Sequence, residues 1–325
     1  MNAIAGGRLR ACLQFVVAVL FFFVARIFAY RSANALSSDL WAPLVEQLFL
    51  AVVLFFGLAG IRLALDGEGF STAQQGWPQR SGWPREIGLG LLFGWALALV
   101  CILPSVFFGG LAITLNLRLA SFGWLLVDTV LLALAAFAEE IAFRGYGFQR
   151  FLQAVGPTGA ALAFAAVYAI VQALAPGSTR ASICVAVVYS LILSSAYLRT
   201  RALWLSWGLN FGWKASRALL FGMSLNGFRL HTLVVQGDPL GSYWLTGGAY
   251  GLESSWITFL LLLAAYPFVY RLTRDLDFRY NTPEIVAAGA PVELQPTAPS
   301  PASLQLVQIQ PAPASSVANS EPSQS

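Results

Sequence analysis

The chain alternates long apolar stretches with short polar ones. Runs almost free of charge occupy approximately 11–30, 41–65, 87–109, 121–143, 158–175, 181–198, 202–223 and 254–272. A helix needs about 20 mostly apolar residues to cross a hydrocarbon layer about 30 Å thick. The pattern therefore predicts an all-α, polytopic membrane protein with about eight transmembrane helices. Arg8 and Arg10 precede the first run, as they would in a secretory signal. That run is too long for a signal's apolar region, however, and Arg26 and Arg31 follow it without a small-residue cleavage site. It reads as a retained span.

The arginines supply an orientation, because cytoplasmic loops are enriched in basic residues. With the N-terminus inside, every cytoplasmic segment holds at least two: Arg8 and Arg10, then Arg62, Arg80 and Arg85, then Arg144 and Arg150, then Arg199 and Arg201, then Arg271, Arg274 and Arg279. The opposite side keeps Arg31, Arg118, Arg180, Arg217 and Arg229. Both termini are expected in the cytoplasm, and the absence of a cleaved targeting segment points to a bacterial plasma membrane.

Two segments differ in kind. The stretch from about Asp66 to Pro84, with Gly, Gln, Pro and two Trp, reads as an interfacial connection. From about Asn281 the chain is rich in Pro, Ala, Ser and Gln, without periodicity, and cannot bury enough apolar surface to offset its ordering entropy. The expected organisation is N-terminal spans and an interfacial loop over 1–85, a membrane domain over 86–273 and a disordered tail over 274–325.

Composition strengthens the membrane reading. Hydrophobic residues make up 58% of the chain, charged residues 10%, and the mean hydropathy is +0.69; a soluble domain carries about 25% charged residues. The pI near 9.1 does not indicate nucleic acid, because the basic residues are scattered and form no stripe with interleaved aromatics. Cys12, Cys101 and Cys184 all lie in apolar runs without a CxxC spacing, and read as small core residues.

Ionisable groups inside spans are costly and are functional candidates by default. The apolar runs contain Glu46, Asp128, Glu139, Glu140 and Lys214, with Arg144 at a helix end. Asp128 and Glu139 are near three turns apart and share a helix face. Glu140 and Arg144 stand at i, i+4 in the orientation favourable for an ion pair, which could simply lock helix ends together. Glu139 points about 100° away from Glu140 and is expected to face a site. Lys214, the one lysine of the chain, is at i, i+4 from Asn210. Two placements are open for it: pairing with Glu139 or Glu140, or extending to the outer interface. The single histidine, His231, follows the seventh run and reads as a solvated loop residue.

The segment Ala138-Glu-Glu-Ile-Ala-Phe-Arg-Gly145 resembles the first motif of the CAAX-protease and bacteriocin-processing family, which includes the type II CAAX prenyl endopeptidases. Tyr197-Leu-Arg-Thr-Arg-Ala-Leu-Trp-Leu-Ser-Trp-Gly-Leu-Asn-Phe-Gly-Trp213 is similar to that family's late segment, in which Tyr-Leu-Arg-Thr leads into a His-x-x-x-Asn helix. Leu245-Thr-Gly-Gly-Ala-Tyr-Gly-Leu-Glu253 is similar to a Gly-Gly-x-x-Gly-Pro-Glu turn, with Leu252 in place of Pro. The resemblance covers about residues 86–270 and implies an intramembrane metalloprotease of about eight helices.

The family's chemistry, as the resemblance implies it, uses two glutamates and two histidines to hold zinc and activate water. Glu139 and Glu140 match the glutamates and Arg144 the arginine. Gln172 stands where the first histidine belongs, or Tyr168 in a frame four residues earlier; Asn210 takes the second histidine position and Lys214 the Asn position. A catalytic zinc usually has three protein ligands from His, Glu, Asp or Cys, and amide oxygens are poor substitutes. An ammonium about 4 Å from a unit cation costs about 4 kcal/mol at an effective dielectric of 20, roughly doubled for a divalent ion.

The expectation is a silent member of the family without zinc, binding a hydrophobic peptide or a prenylated protein in the former substrate cavity. Two other readings remain open. One is a metal-free endopeptidase with Glu139 as general base and Gln172 and Asn210 as hydrogen-bond donors to an oxyanion. The other is a small-solute transporter with Glu46, Asp128 and Glu139 as a polar path, although no internal repeat supports it.

Overall fold

The computed structural model describes residues 2–231 and 234–276. The expected disordered segment from Asn281 onward, most of the 274–325 unit, lies outside the described residues. The described residues are mostly helical, at 76%. Its helices are α1 (Asn2–Leu36), α2 (Ala42–Asp66), α3 (Trp83–Phe107), α4 (Leu119–Arg144), α5 (Tyr146–Ala173), α6 (Arg180–Thr200), α7 (Leu203–Ala215), the single turn α8 (Tyr243–Thr246) and α9 (Trp256–Leu272).

Among the described residues five stretches are long and apolar enough to cross a membrane: Gly7–Leu36, Ala42–Asp66, Trp83–Phe107, Leu119–Ala173 and Arg180–Thr200. All eight predicted runs fall on helix, but the predicted set of eight spans is not met by length. The Leu119–Ala173 stretch is two helices, α4 and α5, meeting at Gly145. Helix α7 has 13 residues and α9 has 17. At about 1.5 Å per residue these fall short of a core about 30 Å thick. Helix α7 does continue into a π turn, Ser216–Leu220.

Three local features depart from the sequence reading. Helix α5 begins at Tyr146, twelve residues before the predicted fifth run, and is broken at Gly156 (φ +79°), where Pro157 cannot donate to the helix ladder. A small antiparallel ladder, β1 (Leu111–Leu115) with β2 (Val235–Pro239), qualifies the all-α expectation; Leu111 faces Pro239 and Leu115 faces Val235. These strands lie in connecting segments more than a hundred residues apart, so no local pattern announces their pairing. Within the segment expected to be an interfacial connection, Gln75, Gly76 and Trp77 are buried. Trp77, 4% exposed, stacks on Phe137 with ring centroids 4.8 Å apart and meets Trp204 edge-on at 4.7 Å. The Leu203 N–H donates to the Gly76 carbonyl at 2.8 Å, which fixes the start of α7.

Two apolar clusters organise the helices. One joins α1, α2, α4 and α5 around Phe22, Leu54, Phe143 and Phe148. The other joins α3, α6, α7 and α9 around Ile102, Ile192, Leu209 and Leu262. The closest approach is between α3 and α7. Gly90 and Gly94 of α3 lie against the Leu205 and Leu209 carbonyls, while Gly208 and Gly212 of α7 lie against the Ile87 and Leu91 carbonyls. A Cβ at any of the four would collide with backbone. Reciprocal Gly-x-x-x-Gly pairs let two helices touch without side chains between them, a packing suited to lipid, where apolar side chains gain little by leaving the tails.

Candidate functional site

Helix α4 ends in the acidic pair Glu139–Glu140, and α7 presents Asn210 and Lys214 one turn apart. Asn210 is two residues from both Gly208 and Gly212, about 200° around the helix. The face of α7 opposite its glycines therefore meets α4. Asn210 Nδ2 donates to Glu139 Oε2 and to Glu140 Oε1, both at 3.0 Å, and Asn210 Oδ1 accepts from the Tyr189 hydroxyl at 3.3 Å. Lys214 Nζ lies 2.5 Å from Glu139 Oε1. Of the two placements open for the lysine, the pairing with Glu139 is the one observed.

The second carboxylate has its own cation. Arg144 Nη1 lies 3.3 Å from Glu140 Oε1, and both side chains are fully buried. Arg144 Nη2 donates to the Ser190 carbonyl and to Ser190 Oγ, each at 3.1 Å, which ties α4 to α6. Two carboxylates and two cations thus form a neutral quartet, with the Asn210 amide bridging its acids.

Gln172 is at the far end of α5, and its side chain bonds away from the quartet. Its Nε2 donates to the Tyr250 hydroxyl at 2.5 Å and to Asn226 Oδ1 at 3.4 Å. It shares with Lys214, Tyr168 and Glu253 a small cavity of about 30 Å³. It also shares with Glu139 and Tyr168 a larger cavity of about 580 Å³ between α1, α2, α4 and α5. Its lining is mixed, with apolar Phe22, Leu50, Phe143 and Phe228 beside ionisable Arg26, Asp39 and Glu46. Gln172 and Tyr168, the two candidates for the first histidine position, stand on the shared wall between the cavities.

Three residues lining the small cavity, Arg217, Glu253 and Tyr189, and Tyr250 bonded to Gln172 beside it, escaped the sequence reading. Arg217, counted there as an outer-loop charge, is 1% exposed. Its guanidinium pairs with Glu253 and lies 4.4 Å from the Trp213 ring centroid. Tyr250 and Glu253 belong to the Leu245–Glu253 turn, which was legible as a motif but not as part of the site. Tyr189 had no signal, being one aromatic within an apolar run. Burial, reinforced by the nearby Glu253 carboxylate, pushes the Tyr250 phenol above its ordinary value, so it accepts from Gln172 as a neutral hydroxyl.

His231 is a correction. It is not a solvated loop residue. Its Nδ1 lies 2.6 Å from Asp128 Oδ1, its Nε2 lies 2.7 Å from the Leu40 carbonyl, and its ring stacks on Trp124 at 4.4 Å. Asp128 is fully buried by this contact. Although Asp128 and Glu139 share a helix, they serve different clusters, and this removes Asp128 from a polar path with Glu139. The lone histidine is held about three turns of α4 away from Glu139.

With the geometry in hand, comparison with known proteins is informative. Residues 121–216 match the family model described as Rce1-like, type II CAAX prenyl endopeptidase Rce1-like. The match spans under a third of the chain, and over that stretch the protein is similar to the CAAX-protease family. The match runs from α4 through α7 and includes Glu139, Glu140, Arg144, Gln172, Asn210 and Lys214. No curated protein and no solved structure matches the chain. Family and apolar helices together make it a CAAX-protease-like integral membrane protein.

A metal centre is implied by the family, and the residues at these positions do not fit one. Among the described residues no group of three His, Cys, Asp or Glu side chains converges. The oxygens of Glu139 that a metal would need already face the Asn210 amide and the Lys214 ammonium. Asn210 also presents its NH2 to Glu140, so a donor stands where an acceptor would be required.

Proposed function

We propose that this chain is a catalytically silent CAAX-protease family member that keeps the membrane fold and its cavity and binds a hydrophobic or prenylated peptide or protein there. The observation that carries the reading is the Lys214–Glu139 contact, in which a side-chain cation takes up the carboxylate that hydrolysis would employ. A general base has to be free to accept a proton from water. Glu139 is instead held by an ammonium and an amide.

The 580 Å³ cavity supports the binding half of the proposal. Its volume lies within the range of about 300–1,000 Å³ typical of ligand sites, and its lining offers both apolar side chains and ionisable groups to an occupant. We further propose that α7 with its π turn and α9 cross the bilayer with the other helices, giving eight spans in a bacterial plasma membrane. The alternation of basic residues supports placing both termini in the cytoplasm.

Metal analysis of the purified protein tests the first half. Less than a tenth of an equivalent of zinc is expected; stoichiometric zinc would overturn the reading. The triple variant Gln172→His, Asn210→His, Lys214→Asn should gain zinc affinity if these positions descend from a metal site. Peptide cleavage that resists chelators and disappears in Glu139→Gln would replace the silent reading with that of a metal-free peptidase.

A further inference from the structure

Three segments remote from one another in the chain meet at His231. Its Nδ1 lies 2.6 Å from Asp128 Oδ1 of α4, and its Nε2 lies 2.7 Å from the Leu40 carbonyl between α1 and α2. The ring stacks on Trp124 at 4.4 Å, and Trp124 lies 5.3 Å from Trp41. Both ring nitrogens therefore face acceptors. The Leu40 contact needs a proton on Nε2, and the Asp128 contact needs a second between Nδ1 and Oδ1. With both protons present, carboxylate and carbonyl are held at once. Losing one sets a lone pair against an oxygen, and one of the two contacts fails.

The charges around the ring are few. Among the described residues Asp128, fully buried, is the charged group bonded to it. On the α1–α2 side, Asp39 and Glu46 line the large cavity. In the segment leading to His231, Arg229 pairs with Asp238 at 2.6 Å. Along α4, Arg118 is ten residues from Asp128, about 15 Å of helix.

The same three segments continue into the lining of the 580 Å³ cavity. Asp39 and Ala42 flank Leu40, Leu131 follows Asp128 by three residues, and Asn226 and Phe228 precede His231; all five line it. Asp39, Asn226 and Phe228 are exposed, so this side is the rim of the cavity. The imidazole thus ties the parts of that rim together.

We propose that His231 is a proton-operated latch on the large cavity. With both protons in place it holds the rim closed, and loss of one opens it. Histidine exchanges a proton between about pH 5 and 8, so acid closes the rim and mild alkali opens it. The latch regulates the cavity proposed to bind a hydrophobic peptide, and its purpose rests on that reading.

The test measures entry to the cavity in the full chain, purified in detergent. Gln47, which lines the cavity, is replaced by Cys, and its rate of modification by a water-soluble methanethiosulfonate is followed against pH. Dividing by the rate at Leu240→Cys, where the native side chain is 71% exposed, removes the reagent's own pH dependence. Background from Cys12, Cys101 and Cys184 is subtracted using the chain without an added cysteine. The ratio should rise about ten-fold between about pH 5 and 8, the scale of one hydrogen bond to a charged group. His231→Phe keeps an aromatic ring beside Trp124 but makes neither bond, so its ratio should be high and flat. Asp128→Asn can donate to Nδ1 of a singly protonated ring, so its ratio should stay low as pH rises. A flat ratio with the native latch, or a pH dependence that survives in His231→Phe, would overturn the proposal.

The single histidine supplies a second measurement that needs no latch variant. Nitrogen-15 NMR of the labelled ring should show two protonated nitrogens in acid and one in mild alkali, with the midpoint of the accessibility change. Different midpoints would overturn the latch. The reagent reports entry with no peptide bound, so a failure here leaves the binding reading standing. Failure of a hydrophobic peptide to bind would likewise leave the latch standing.

Discussion

Lys214 Nζ and Glu139 Oε1 are 2.5 Å apart, so the chain's one lysine neutralises the first carboxylate of the Glu139–Glu140 pair. Lys214→Met leaves Glu139 uncompensated beside Glu140 and, because the pair is partly exposed, should destabilise the protein by about 1–3 kcal/mol, below the range for breaking a fully buried pair from one side. Adding Glu139→Gln should recover most of that loss. Thermal unfolding in detergent of the two single variants and the double variant measures the coupling; additive effects would show that the two charges do not depend on each other.

Asn210 joins the two acids, and its oxygen is already engaged by Tyr189. Asn210→Asp replaces the bridging donor with a third carboxylate and should lower stability more than Asn210→Ala does. For the alanine variant about 2–3 kcal/mol is expected, from carboxylates that lose their donor. The ordering of the two variants in a denaturation series checks the direction of the bridge.

Gly94→Ala should cost about 1–3 kcal/mol through backbone collision with α7. Gly88→Ala, on the same helix but with nothing within 4 Å of the added methyl, should be neutral or slightly stabilising. Expression level and melting temperature of the pair separate a packing role from a general preference for glycine.

Tyr250 predicts a response to alkali. Its phenol ionises above the ordinary value in the folded protein, because of burial first and the Glu253 carboxylate second. An unfolded tyrosine ionises near about pH 10, so the folded state binds the proton more tightly. Its contribution is therefore complete below that pH and is lost as pH rises through the folded value. Tyr250→Phe should flatten the decline in stability above about pH 10 and leave the profile below it parallel to the wild type.

The helical runs and the acidic pair were legible because each rests on local pattern: length of apolar sequence for the spans, adjacent glutamates with an arginine one turn on for the site. Lys214 was legible as an ion needing a partner, since a lone ammonium in an apolar helix is conspicuous. The choice between Glu139 and Glu140 was not, because it depends on how α7 is rotated against α4. His231 illustrates the converse. Its partners, Asp128 and the Leu40 carbonyl, come from segments about a hundred and two hundred residues away, and nothing near it in the chain hints at either. Arg217 misled the charge count for the same reason: Glu253 lies across a connection that carries no period. Trp77 looked interfacial by composition, whereas its ring completes an aromatic stack with Phe137 and Trp204 that only the folded chain assembles.

The glycine contact between α3 and α7 has a consequence for the charged quartet on the other side of α7. Helix α7 is thirteen residues long and has no slack to absorb a displacement. A slip by one turn, about 5.4 Å, exceeds every bond that Asn210 and Lys214 make to α4. Bare backbone on one flank thus acts as a detent, and α3, which contributes no polar group to the quartet, governs whether its ions meet. Any agent that wedged these two helices apart would unmask Glu139 and Glu140 without touching either.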